Sequence, residues 1–254
     1  MDQLHLVYFS PSGNTKKIAS LIADSIDLPL ETHDLILDPP QETILFDQDN
    51  PALFAVPVFG GRVPVPCEEL LKKFKGDSTP AIAVVVYGNR AYDDALLELK
   101  NTLQEAGFQV FAAAAFIAQH SLFPEVAKGR PDEQDQVKIS EFGHTCIEIL
   151  QNPETMHEVT VKGDFPYCAL AESSFHPKTN SACTGCGTCA KICPTGAISA
   201  QNPRKTDSKR CIACTACVSA CPAHARSFHS PMYSTMAKSF AKKVRARQEP
   251  EFFF

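Results

Sequence analysis

The chain has 254 residues and a formal net charge of -5, a length that suits two compact domains. This acidic composition offers no broad basic surface for nucleic acid, which requires clustered Lys and Arg, so we expect no nucleic-acid partner. The first residues lack the basic segment and apolar core of a signal peptide, and the longest apolar run, Val110 to Ala118, is too short to span a bilayer. The sequence therefore predicts a cytoplasmic protein without a membrane span.

Apolar runs alternate with helical patterns through the first 150 residues. Short apolar runs predict strands at 4–9, 53–59, 81–87 and 110–117, with a weaker strand at 31–37. Apolar residues at helical spacing predict helices at 16–26, 67–74, 92–106 and 135–150. This order predicts an α/β fold with a doubly wound, five-stranded parallel sheet and right-handed crossovers.

The composition changes near residue 152, because nine of the 11 cysteines follow it. We predict a first domain over 1–152, a connector over 153–174, a cysteine-rich domain over 175–230 and a basic, helical C-terminal tail over 231–254. Lys and Arg alternate with Met236, Phe240 and Val244 in that tail. Such a helix either covers the protein's own core or docks to an acidic redox partner.

Two cysteine runs have the same spacing, and each ends in Cys-Pro. The first comprises Cys183, Cys186, Cys189 and Cys193, and the second comprises Cys211, Cys214, Cys217 and Cys221. Gaps of two residues let three thiolates converge on one cluster, while the fourth cysteine reaches the other cluster. The predicted ligand sets are therefore crossed, with Cys221 completing the first set and Cys193 the second. Zinc is the alternative, but Cys₄ zinc sites usually have two pairs separated by a longer gap.

These runs resemble those of two-cluster bacterial ferredoxins over about residues 175 to 230. The resemblance implies a small α+β domain that holds two [4Fe-4S] clusters and transfers single electrons at low potential.

A hydroxyl-rich loop lies between the first predicted strand and the first predicted helix. Its candidate phosphate-binding residues are Ser10, Ser12, Gly13, Asn14 and Thr15. The loop is neither a Walker A loop nor a GxGxxG loop. It resembles the phosphate loop of flavodoxins, which bind FMN; an ordinary polar turn is the alternative.

Two further loops follow buried strands at their carboxyl ends, where open α/β sheets bind ligands. The candidate residues are Pro57, Phe59, Gly60 and Gly61 in one loop, and Tyr87, Gly88, Asn89, Tyr92 and Asp93 in the other. The corresponding loops of flavodoxins flank the flavin ring. The chain has no Trp, so Phe59 and Tyr92 are the candidate stacking residues, with Tyr92 preferred.

Four more residues are weaker candidates for this crevice. Arg62 and Arg90 either interact with reduced flavin or are solvated, and His120 and Ser121 are placed to line the same crevice.

The order of the two halves resembles that of flavodoxin–ferredoxin fusion proteins. This resemblance implies an electron-transfer protein that relays single electrons between two [4Fe-4S] clusters and an FMN, with redox proteins or reductases as donor and acceptor. Two alternatives stay open. One is a flavin-dependent reductase of a quinone, a nitro compound or oxygen, and the other is an iron–sulfur redox sensor or interaction protein. No Ser/His/Asp or Cys/His set stands out, and we assign no catalytic residue.

Overall fold

The computed structural model describes residues 1–170 and 173–254. Its central feature is a parallel sheet of five strands. They are β1 (Leu4–Tyr8), β2 (Leu30–Asp34), β4 (Ala52–Pro57), β6 (Thr79–Tyr87) and β7 (Phe108–Ile117). Their spatial order is β2-β1-β4-β6-β7. This is the flavodoxin-like doubly wound order, so the predicted fold of the first domain is confirmed.

A separate pair of short parallel strands, β3 (Ile44–Phe46) and β5 (Phe74–Gly76), lies beside this sheet. The helices of the domain are α1 (Asn14–Ile26), α2 (Val65–Leu71), α3 (Ala95–Glu105) and α4 (Glu133–Gln151). Helices α1 and α4 pack on one face of the large sheet, and α2 and α3 pack on the other. Cys67 and Cys146 are fully buried in these two layers.

The second region is small and built around the cysteines. It contains β8 (Lys178–Thr179), α5 (Thr188–Lys191), α6 (Ala216–Ser219) and β9 (Arg226–Ser227), with β8 antiparallel to β9. Because β8 and β9 flank the two cysteine runs, their pairing closes the region into one unit.

The connector is ordered against the first domain for most of its length. Val159 is buried, and its backbone N–H lies 3.4 Å from the carbonyl oxygen of Val110. The Asp94 carboxylate accepts hydrogen bonds from the backbone N–H groups of Asp164 (2.8 Å) and Cys168 (2.6 Å). Residues 171–172 of the predicted connector lie outside the described residues.

The C-terminal tail packs on the first domain, one of the two alternatives that the sequence left open, and it adds a strand that the sequence did not predict. It forms the helix α7 (Pro231–Lys243) and then β10 (Glu251–Phe253), which pairs antiparallel with β7 and adds a sixth strand to the large sheet. The Phe252 ring lies 5.2 Å from that of Phe142, between ring centroids. The chain thus passes from the first domain into the cysteine region and is then anchored on the first domain again.

In the described ranges, no helix is both long enough and apolar enough to cross a membrane.

Candidate functional site

The eight cysteines of the two runs line two separate cavities. One cavity is lined by Cys183, Cys186, Cys189 and Cys221. The other is lined by Cys193, Cys211, Cys214 and Cys217. In each case three cysteines come from one run and the fourth comes from the other, which is the crossed grouping that the spacing predicts. We call them the outer and inner cluster cavities, respectively, because Cys186 is exposed whereas Cys214 and Cys217 are buried.

The local backbone repeats between the two cavities. Gly187 and Thr215 adopt left-handed conformations (φ 78° and 66°) immediately before α5 and α6, so that Cys189 and Cys217 fall in the first turn of each helix. A backbone N–H then reaches the sulfur of each fourth cysteine: Ala197 N lies 3.2 Å from Cys193 Sγ, and Ala225 N lies 3.2 Å from Cys221 Sγ. Such contacts stabilise a thiolate that binds metal.

Burial keeps two thiols of the inner cavity protonated when no metal is bound. Burial raises the pKa of Cys214 to about 12 and that of Cys217 to about 11. These thiols therefore stay protonated at neutral pH unless a metal displaces the proton. Four cysteine sulfurs around one cavity fit the Cys₄ ligand set of a [4Fe-4S] cluster.

Arg226 is a buried cation between the two cluster cavities. It is only 3% exposed, and its Nη1 lies 3.6 Å from Cys189 Sγ and donates to the carbonyl oxygen of Pro203 at 2.6 Å. Among the described residues, its Nε finds no hydrogen-bond partner. The corresponding position of the first repeat, five residues after the fourth cysteine, is Ile198, which packs against Cys189 and Cys217. One repeat thus has an apolar residue where the other has a buried cation.

A pocket of about 450 Å³ lies at the carboxyl ends of the parallel strands, between the first domain and the cysteine region. This volume is in the usual range for a small-molecule or cofactor site. We call it the interdomain pocket. From the first domain it is lined by the loops that follow β1, β4, β6 and β7. Its remaining wall comes from α7, from residues 173–175 and from residues 212–214 of the cysteine region.

The loop after β1 forms one end of the interdomain pocket. Ser12, Asn14 and Thr15 line the pocket, and Thr15 is almost fully buried. The backbone N–H groups of the first turn of α1 have no partner within the helix, so this end of the pocket favours an anion. The Asn14 side chain also donates to the carbonyl oxygen of Gln119 at 2.8 Å, which joins this loop to the loop after β7.

Ser10 and Gly13, two other residues of the predicted phosphate loop, do not line the pocket. Ser10 Oγ accepts a hydrogen bond from the backbone N–H of Lys16 at 2.9 Å, and Gly13 supplies the left-handed turn (φ 89°) that begins α1. Their positions shape the loop.

The loops after β4 and β6 form the middle of the pocket. Pro57, Phe59, Gly60, Tyr87 and Gly88 line it, as the sequence predicts. Gly88 is required there, because a Cβ atom at this position would lie 2.6 Å from the His120 ring. Burial raises the pKa of Tyr87 to about 12, so its hydroxyl is protonated at neutral pH.

Four other predicted flavin-binding residues are not brought to the pocket. Tyr92 is only 6% exposed, and its hydroxyl donates to Glu251 at 2.7 Å. The expectation that Tyr92 stacks on a flavin ring is therefore not supported. Asn89 donates to the carbonyl oxygens of Val244 (2.7 Å) and Ala246 (2.8 Å), which binds the C-terminal segment.

Gly61 and Asp93 also lie outside the interdomain pocket, beside each other; Asp93 forms an ion pair with Arg90. Arg90 still lines the pocket, whereas Arg62 forms a largely buried ion pair with Glu98 at 2.6 Å and is neither solvated nor directed to the pocket.

His120 and Ser121 line the pocket, as the sequence suggests. The Nδ1 atom of His120 accepts hydrogen bonds from the backbone N–H groups of Leu122 and Phe123, both at 3.2 Å. Burial, with a smaller effect of the Arg90 charge, lowers the pKa of His120 to about 4. This imidazole is therefore neutral at neutral pH.

The roof of the pocket is apolar and was missed by sequence reasoning. Its side chains include Met232, Met236 and Phe240 of α7. The Phe240 ring lies 5.3 Å from the His120 ring and 5.1 Å from the Phe123 ring, between centroids. The only signal in the sequence was the interleaving of these apolar residues with lysines, which does not indicate which surface they cover.

The interdomain pocket and the inner cluster cavity share a wall. Ile212, Ala213 and Cys214 line both. A group bound in the pocket would therefore be separated from the inner cavity by one layer of the cysteine run.

Comparisons with known proteins found one family match and several similar solved structures. Residues 176–226 match the 4Fe-4S dicluster domain family. The search of solved structures found an archaeal flavodoxin at 16% identity, covering 59% of this chain and 99% of that chain with a TM-score of 0.40. It also found a WrbA-like flavodoxin from Agrobacterium tumefaciens at 13% identity, covering 60% and 99%, with a TM-score of 0.42. A flavodoxin of Streptococcus pneumonia matches at 16% identity over 56% and 94%, with a TM-score of 0.38. No curated protein gave a significant match.

Proposed function

We propose that this chain, a flavodoxin-like domain fused to a 4Fe-4S dicluster domain, is an electron-transfer protein that relays single electrons between two [4Fe-4S] clusters and an FMN. When bound, each cluster would carry one electron and FMN one or two. We take residues 1–152 and 175–230 as the two domains, with the C-terminal tail packed on the first. Redox proteins or reductases are the proposed partners.

The shared wall of the interdomain pocket and the inner cluster cavity carries this proposal. Cys214 is at once a proposed cluster ligand and a lining residue of the pocket. Electron transfer requires close approach of the two cofactors, and a flavin and a cluster bound on either side of this wall would be close within one chain. The Asn89 side chain and the pairing of β10 with β7 hold the C-terminal segment on the first domain, so the approach of the two regions does not depend on a chance encounter.

FMN is the flavin that the pocket favours. Ser12, Thr15 and the backbone N–H groups of α1 that precede Lys16 would bind a terminal phosphate, helped by the positive end of the helix dipole. Phe59 and Tyr87 lie along the middle of the pocket, where they would contact the ring, and Phe240 covers it from above. Because His120 is neutral, it adds no positive charge to the pocket.

The roof also affects access from outside. Because α7 and the cysteine region cover the pocket, a protein partner would meet the outer cluster cavity more readily, where Cys186 is exposed. The proposed order of transfer is therefore partner, outer site, inner site and flavin, or the reverse.

The composition of anaerobically purified protein tests this proposal. We expect about eight iron ions, eight sulfide ions and one FMN per chain, as two cubane clusters and one flavin require. Protein that retains the clusters but binds no flavin, or that binds FAD, would contradict the relay. Catalytic turnover of quinones or nitro compounds by the reduced protein would instead support a reductase.

A further inference from the structure

A second group of ligand-type side chains lies far from the interdomain pocket, on the outer strands of the sheet. His5 is on β1, and Glu31 and His33 are on the edge strand β2. The parallel register pairs His5 with Glu31, and His33 is two residues further along. Residues two apart on a strand share a face, so all three side chains project from one face of the sheet.

The ligand atoms of these side chains are already close together. His5 Nδ1 lies 3.4 Å from Glu31 Oε2 and 3.5 Å from His33 Nε2, and His33 Nε2 lies 3.7 Å from Glu31 Oε1. Zinc binds imidazole nitrogen and carboxylate oxygen at about 2.0–2.2 Å, so two ligands of a tetrahedral zinc are separated by roughly 3.3–3.6 Å. The three separations lie at or close to this range.

The two imidazole rings are held in place by aromatic neighbours. The His5 ring is stacked on Phe46, with ring centroids 4.2 Å apart and an interplanar angle of 15°. The His33 ring meets the edge of Phe74 at 5.6 Å. Side chains whose orientation is fixed in this way lose little freedom when they bind a metal.

Gln3 supplies a contact beyond the three ligands. Its side-chain Nε2 donates to Glu31 Oε2 at 3.0 Å. Carboxylates that bind metal are usually held by such a hydrogen bond.

The charges of the group suit a divalent cation. Within the described residues, Glu31 has no Lys or Arg in ion-pair distance. One carboxylate and two neutral imidazoles are also a ligand set that zinc uses with a water molecule in the fourth position.

We propose that His5, Glu31 and His33 bind a divalent transition metal, with Zn²⁺ the ion that the geometry fits best. The site would join the edge strand β2 to β1 and is independent of the proposed redox function. Because the fold fixes both rings, a metal ion bound at this site would stabilise the folded chain.

Zinc binding to the cluster-loaded full chain tests this inference, measured by calorimetry and by metal analysis after dialysis. The variants are Glu31→Gln and His33→Gln, at the two less buried positions, and the matched control is His144→Gln, an exposed histidine on α4. We expect one zinc per chain in the original protein and the control, and at least a hundredfold weaker binding in both variants. At a hundredfold excess over the dissociation constant, zinc should also raise the unfolding temperature of the original protein and not of the variants.

Iron content is measured in the same samples, because zinc could displace iron from the cysteines. Zinc uptake that is equal in all four proteins, or that occurs only with loss of iron, would overturn the proposal. Absence of zinc binding in the original protein would overturn it as well.

Discussion

Arg226 offers the sharpest test of how the cysteine region sets its redox properties. Replacing it by Ile restores the residue type of the first repeat, where Ile198 stands. The change removes a buried positive charge whose Nη1 lies 3.6 Å from Cys189 Sγ. A cation near a cluster favours the reduced, more negative state. Its removal should therefore shift the midpoint potential to more negative values.

The magnitude follows from Coulomb's law. With an effective dielectric constant of about 20 and roughly 7 Å between the guanidinium and the cluster centre, one charge contributes about 2.4 kcal/mol. For a one-electron step this corresponds to about 100 mV, since a tenfold change in the equilibrium constant is about 59 mV. Both clusters should shift, because Arg226 contacts Cys189 of the outer set and also interacts with Cys217 of the inner set.

An anaerobic redox titration followed by electron paramagnetic resonance measures this shift. Arg226→Lys keeps the charge and should stay much closer to the original potential, and Arg210→Gln removes an exposed charge as the matched control. Potentials in Arg226→Ile that match those of Arg226→Lys would refute the electrostatic reasoning and leave Arg226 a purely structural residue.

The remaining predictions concern the pocket and the ligand sets. Thr15→Ala should weaken FMN binding, measured by flavin fluorescence, about ten- to a hundredfold, because a hydrogen bond to a charged group contributes roughly 1.5–3 kcal/mol. The control Thr145→Ala, on the exposed side of α4, should leave the affinity unchanged. Cys193→Ala should remove the inner cluster and spare the outer one in iron analysis and resonance spectra; loss of the outer cluster alone would show that the ligand sets are not crossed. His120 titrates near 4 in the folded protein and near 6.5 when unfolded, so stability should fall as the pH drops below 6.5. Between pH 7.5 and 5.5 the loss should be about 1.4 kcal/mol, measured by denaturant unfolding, and His120→Gln should not show it.

Local patterns predicted those parts of the molecule that depend on neighbours in sequence. Apolar runs located the parallel strands, and the spacing of the cysteines predicted which four share each cavity, because both are properties of a few consecutive residues. The hydroxyl-rich loop after β1 was placed at the pocket for the same reason, although Ser10 and Gly13 shape the loop and do not line the pocket.

The misses at Tyr92, Asn89 and the C-terminal tail involve partners that are distant in the chain. Tyr92 was expected to stack on a flavin, but its hydroxyl is bonded to Glu251, and Asn89 binds the backbone near Val244. No local pattern indicated that residues after 243 return to the sheet as β10. The apolar roof was missed for the same reason, because the helical periodicity of α7 shows that it has an apolar face but not what that face covers.

Electron transfer inside the intact chain is the most direct test of the central claim. A pulse of a low-potential reductant is applied to the holoprotein at two concentrations tenfold apart, and the approach to equilibrium between cluster and flavin is followed by absorbance. Because Cys214 separates the inner cavity from the interdomain pocket within one folded unit, the observed rate constant should be the same at both concentrations. A rate constant that falls about tenfold on dilution would mean that electrons pass between molecules, and it would contradict the relay.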